Sequence, residues 1–169
     1  MSVNVPSYEL LYPRQTVLVT SWDEKNGRTN IITLDWSMPT SMKPFLVAIS
    51  VGKTRYSHDC IRGGKEFVLN VPTKSLEKAV MICGTRSGRN CDKFKEARLN
   101  EHPSKKVKVS GISECPARLE CVLENSLETG DHVIFVGRVV NVDVDRESWN
   151  ADDLLVDIGG GKFAELLKE

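Results

Sequence analysis

The chain has no Cys-x-x-Cys pair, no Walker loop, no dinucleotide fingerprint and no apolar run approaching membrane-spanning length. Each absence removes a class of function. The five cysteines, Cys60, Cys83, Cys91, Cys115 and Cys121, are odd in number and lack the spacing of zinc or thioredoxin-type sites, so they read as reduced thiols and no metal is expected. Cys115 and Cys121 are an even distance apart, and in one extended strand both would fill the same core face. The Gly159-Gly160-Gly161-Lys162-Phe163 run lacks the hydroxyl that must follow the lysine of a phosphate loop. It reads as a flexible turn or as a place where backbone approaches a flat ligand. Excess charge is missing too: 23 basic residues meet 23 acidic ones, with only a short Lys105, Lys106, Lys108 cluster, so no nucleic-acid partner is expected. The opening MSVNVPSYELLYPRQ has no basic flank leading into an apolar core, which predicts a cytoplasmic protein without a membrane partner. At 169 residues the expectation is one domain, 1–169, able to bury a core without staples.

What is present is strand pattern. Val17 to Trp22 alternates, Asn26-Gly27 predicts a hairpin, and Thr29 to Leu34 is the return strand. Pro39 and Pro44 predict a loop that continues neither helix nor strand. Phe45 to Val51 reads as a strand buried on both faces, and Tyr56 to Arg62 as a short helix capped by Ser57 and stopped at Gly63-Gly64. Glu66 to Val71 is a further strand, and Ser75 opens a helix through Cys83. Cys83 to Phe94 is polar loop, with a helical turn over Asp92 to Leu99. Strands are predicted over Lys106 to Val109, Ala117 to Leu127 and His132 to Asp145, the last two joined by Glu128 to Asp131, and the tail ends in a short amphipathic helix. Long hairpins with few helices point to a closed or nearly closed barrel, mainly β, rather than a doubly wound sheet.

Two strands, Asn30 to Leu34 and Phe45 to Val51, feed loops rich in hydroxyls and cations. The second, Gly52 to Ser57, holds two cations and three hydroxyls in six residues, a set that suits a phosphate dianion and equally an ordinary turn. Cys60 or Cys83 with His58 or His132 is a separate candidate for thiol catalysis, and His58 and His102 otherwise read as surface or helix residues.

The succession NIITLDWSMPTSMKP, ISVGKTRYSHDCIRGGKEFVLNVP, CGTRSGRNCDKF, GDHVIFVGRVVNVDVD and IGGGKF resembles the flavin reductase-like family of FMN-binding split barrels, and is most similar to its flavoredoxin members. The resemblance implies a Greek-key split β-barrel, FMN as cofactor, and a homodimer. It places the flavin ring near Asn30, Trp36, Ser57, Lys93, His132 and Phe163, with Ser57 where flavoredoxins commonly carry threonine. Thr40, Ser50, Thr54 and Arg55, then Ser87 to Asn90, would serve the phosphate and ribityl chain. Lys93 and His132 become the catalytic candidates: an ammonium near the ring would stabilise a reduced anion, and an imidazole could donate to the ring edge. The implied function is NAD(P)H-dependent flavin reduction, passing a hydride or electrons through FMN to a second acceptor; a carrier fed by a redox-protein partner is the alternative. Without the resemblance, Trp36 and Phe163 read as packing aromatics, Lys93 as a solvated lysine paired with Asp92 or Glu96, and His132 as an exposed turn residue.

Overall fold

Alternation along the first hairpin decides the architecture. In a computed structural model describing residues 7–164, β1 (Arg14–Gln15) leads into β2 (Val17–Asp23) and β3 (Arg28–Leu34), joined through Gly27 at φ 63°. Val17, Val19 and Ile32 face one core, while Leu18 and Ile31 face another on the opposite side. The chain continues through β4 (Ser37–Met42), β5 (Phe45–Gly52), α1 (Tyr56–Gly64) and β6 (Glu66–Val71). Then come α2 (Glu77–Thr85), α3 (Lys93–Ala97), β7 (Glu101–His102), β8 (Gly111–Ile112), β9 (Ala117–Thr129), β10 (His132–Val144), β11 (Val156–Gly159) and β12 (Lys162–Ala164).

Seven strands form one antiparallel sheet in the order β3-β2-β6-β9-β10-β5-β4. It curls until β3 and β5 approach each other without pairing, which makes the mainly β split barrel that was expected. The inner core holds Ile49, Val51, Phe67, Leu69, Cys121 and Phe135, and Ile61 of α1 plugs one end. The outer core lies between the β2–β3 face and α2 and α3, around Val80, Cys83, Phe94 and Leu155. No helix among the described residues is long and apolar enough to cross a membrane.

Several local expectations need correction. Pro39 lies inside β4, because an edge strand tolerates a residue without an N–H; the register slips between Pro39 and Ser41. Ser57 does not cap α1: Arg55 holds the cap position, and Ser57 is buried in the first turn. The stop after the two glycines is Lys65, left-handed at φ 54°, whose N–H bonds Ile61 O at 2.9 Å. Helix α2 starts at Glu77, not Ser75, and runs on to Thr85, so the polar loop begins only at Arg86. Cys115 precedes β9 and joins the outer core, whereas Cys121 joins the inner one, so the two do not share a face. His58 is buried on α1. Of the expected C-terminal helix, residues 162–164 form β12 and the remainder lies outside the described residues.

Lys106 to Val109 is not a strand, because carboxylates capture its amides. Glu120 accepts from the backbone N–H of Lys105 at 2.9 Å and Lys106 at 2.6 Å, and Glu66 accepts from Lys108 N–H at 2.7 Å. Below this loop the buried Arg118 donates to Asp143 from Nε at 2.9 Å and pairs through its second amino group at 2.8 Å. That hydrogen bond is the main reason the Asp143 carboxyl titrates below the usual range. A lowered carboxyl pKa contributes stability that is complete above the unfolded value and lost as pH falls through the folded one. Asp143→Asn should therefore cost about 1–2 kcal/mol at pH 7, the partly exposed carboxylate keeping it modest. In thermal melts across pH the gap between variant and parent should close below about pH 4.

Candidate functional site

Four connections gather at one end of the barrel: the β3–β4 link with Asp35 and Trp36, the β5–α1 loop, the α2–α3 loop and the Gly130-Asp131 turn. Backbone bonds tie them together, from Ser50 N–H to Trp36 O at 2.9 Å and from Lys53 N–H to Asp131 O at 2.9 Å. Between them lies a cleft with two chambers that share Ile32, Arg55 and Gly84. The larger, about 530 Å³, is walled by Tyr12, Leu34, Trp36, Ser50 and His132. The smaller, about 200 Å³, is walled by Thr54, Ser57, Ser87, Gly88, Arg89 and Lys93. Small-molecule sites have about this size.

Lys93 is the most informative residue. It is 6% exposed, and its Nζ donates to Ile31 O and to Cys83 O, each at 2.7 Å. The solvated pairing is excluded: Asp92 turns to Arg28 and Lys95, and Glu96 to Arg86. No carboxylate pairs with this ammonium among the described residues, and burial pushes its pKa below the ordinary lysine range. One N–H and an uncompensated charge are left for the chamber.

Asn30 donates from Nδ2 to Ser57 Oγ at 2.8 Å, yet its Oδ1 is buried with no partner. Gly88 makes room there, since a Cβ on that residue would fall 2.0 Å from Asn30 Oδ1. At the rim, Arg55 makes no side-chain hydrogen bond or ion pair among the described residues. Arg89 instead bridges the two loops, donating to Thr54 O and to Asp59 Oδ2 at 3.2 Å each while lying over the Tyr56 ring. A buried cation, an orphaned acceptor and a free guanidinium around one cleft fit a ligand with an anionic end and a ring edge that both donates and accepts.

Trp36 stacks against the His132 ring at 4.9 Å, and His132 Nδ1 lies 2.8 Å from Asp131 Oδ1, which leaves Nε2 for the cleft. Trp36, Ser50, Thr54, Arg55, Ser57, Ser87, Lys93 and His132 thus line the cleft, and Asn30 joins them through Ser57. Three residues do not. Thr40 is exposed on β4, Asn90 bonds Ser87 O through its own backbone, and Phe163 packs against the outer core; none lines either chamber. Sequence reasoning missed Ile32 and Gly84, which carry no local signal, whereas Tyr56, Gly88 and Arg89 lie within the expected Gly52 to Ser57 and Ser87 to Asn90 stretches. The thiols are poor nucleophiles: burial raises Cys60 and Cys83 to about 11, and the nearby His58 imidazole bonds Asp59 instead.

The model of the flavin reductase like domain matches residues 9–164. The chain belongs to that family. An uncharacterized protein of Archaeoglobus fulgidus is 44% identical over 134 residues, covering 79% of this chain and 74% of the relative. The high molecular weight rubredoxin of Moorella thermoacetica is 30% identical over 122 residues, 72% of this chain but only 52% of that longer protein. Among solved structures, flavoredoxin of Desulfovibrio vulgaris superposes at a TM-score of 0.87 with 23% identity, covering 100% of this chain and 94% of that one. The Streptomyces globisporus NADH:FAD oxidoreductase in complex with NAD and FAD fragments does so at 0.78 with 25% identity, covering 92% and 87%. Redox chemistry on a flavin is therefore the family's province, and the fold is that of the FMN-binding split barrels.

Proposed function

We propose that the cleft holds FMN non-covalently and that the protein is a flavin reductase-like oxidoreductase, taking a hydride from NADH or NADPH and passing electrons to a second acceptor. The observation that carries this reading is the buried, uncompensated ammonium of Lys93, together with the orphaned Oδ1 of Asn30, in a member of the flavin reductase like family. FMN when bound supplies the hydride-accepting centre; the protein supplies orientation and charge. Lys93 offers its remaining proton and charge to the side of the ring where reduction places negative charge. Asn30 Oδ1 accepts from a ring N–H, and Ser57 Oγ stays pinned by Asn30 Nδ2. Trp36 and His132 wall the larger chamber, while Arg55, Thr54 and Ser87 face the phosphate. The thiols take no part. A homodimer belongs to the same reading.

Gly88→Ala tests the cradle. The added Cβ meets Asn30 Oδ1 at 2.0 Å and must push the α2–α3 loop outward, about 1–3 kcal/mol of overpacking. FMN affinity measured by fluorescence quenching should fall roughly tenfold or more. For the function itself, anaerobic mixing of FMN-loaded protein with NADH or NADPH should bleach the flavin rapidly. Bleaching only by a reduced iron–sulfur protein would contradict the reductase and leave an electron carrier.

A further inference from the structure

A second cavity lies behind Trp36, and the flavin reading does not use it. It measures about 380 Å³ and is formed where the Ser7–Leu11 turn stands over the outer face of β4, β5 and β10. Its walls are mostly apolar: Tyr8, Leu11, Trp36, Met38 and Ile134. Tyr8 meets the Trp36 ring edge-on at 6.1 Å, so two aromatics meet on one side of the space. The one charged residue in this lining is Arg14.

Arg14 makes no side-chain hydrogen bond or ion pair among the described residues, and its Nε is buried without any acceptor. Such a group calls for an acceptor, because a buried guanidinium N–H without one forfeits the hydration it had in the unfolded chain. The carboxylates nearby are otherwise engaged: Asp35 accepts from Tyr12 OH, and Asp157 accepts from Gly159 N–H at 2.7 Å. The remaining polar wall groups, Ser37, Ser50 and Thr129, are neutral. An apolar space with one unanswered planar cation matches a molecule with an apolar ring at one end and a carboxylate at the other.

We propose that this cavity is a binding site for small aromatic or alicyclic monocarboxylates, with Arg14 holding the carboxylate and Tyr8, Trp36 and Ile134 the ring. The proposal does not depend on FMN. Because Trp36 and Ser50 wall both this cavity and the larger chamber, an occupant would also be sensed in the cleft.

Benzoate is the probe, with benzamide as its neutral counterpart. Calorimetry on the full chain, with and without FMN, should give saturable benzoate binding at least tenfold tighter than benzamide. Arg14→Met should abolish that preference while leaving FMN affinity within twofold of the parent and the melting temperature essentially unmoved. The methyl resonance of Met38, which lines the cavity, should shift on titration and stay still in Arg14→Met. Equal binding of the two probes, or benzoate binding that survives Arg14→Met, overturns the proposal. So does a change from dimer to monomer in Arg14→Met without benzoate binding to the parent, which would assign the cavity to a second copy of the chain.

Discussion

Lys93→Met should weaken the binding of reduced FMN about 10- to 100-fold, with a much smaller loss for the oxidised form. The magnitude follows from a hydrogen bond between charged groups in a dry site, worth about 1.5–3 kcal/mol. As a two-electron potential it is a fall of roughly 30–60 mV, since about 30 mV corresponds to 1.4 kcal/mol. Apoprotein stability should respond differently. Burial lowers the Lys93 pKa, so the charged form carries a desolvation cost in the folded chain; that cost is complete below the folded pKa and disappears as pH rises through it toward the ordinary lysine value. Methionine removes that cost but leaves Ile31 O and Cys83 O unpaired, and the two effects nearly cancel. The expected signature is an almost unchanged apoprotein melt with a lowered flavin potential. An equal loss of melting temperature with and without flavin would make Lys93 a purely structural residue.

Gly137→Ala should be the most damaging conservative change in the barrel. Gly137 sits on β10 at a slip in register against β9, directly over the inner core. A Cβ there would fall 2.4 Å from Phe67 Cζ, 2.7 Å from Cε1 and 2.9 Å from Cys121 Cβ. Phe67 and Cys121 are both fully buried, so neither can swing into solvent. Overpacking of this kind costs about 3 kcal/mol, which in a domain of this size lowers the melting temperature by about 6–12 °C. Phe67→Leu in the same chain should recover part of the loss, although alone it is destabilising. Such a positive coupling in a double-mutant cycle identifies the clash as the cause. A loss that simply adds would place the damage in the backbone of β10.

The hairpins were legible because local chemistry and tertiary structure agree: Asn26-Gly27 turns where Gly27 takes φ 63°, and β9 and β10 turn at Gly130 with φ 49°. Where distant partners decide, local pattern failed. Val107 to Val109 has strand composition, but Glu120 and Glu66 claim the adjoining amides from elsewhere in the chain. Pro39 forbids a central strand, and no local signal says that β4 is an edge. The burial of Lys93 was invisible for the same reason, since the carbonyls it serves come from β3 and α2. Most of the residues that the family resemblance named line one cleft. The exceptions, Thr40, Asn90 and Phe163, sit on an edge strand, a backbone-bonded loop and the outer core.

Reconstitution is the most direct test of the central claim. Titrating FMN into flavin-free protein should quench flavin fluorescence to a 1:1 end point and raise the melting temperature, with both effects weakened in Gly88→Ala. Unquenched flavin and an unmoved melt at saturating FMN would contradict the account, and the roles given to Lys93, Asn30 and Arg55 would fall with it.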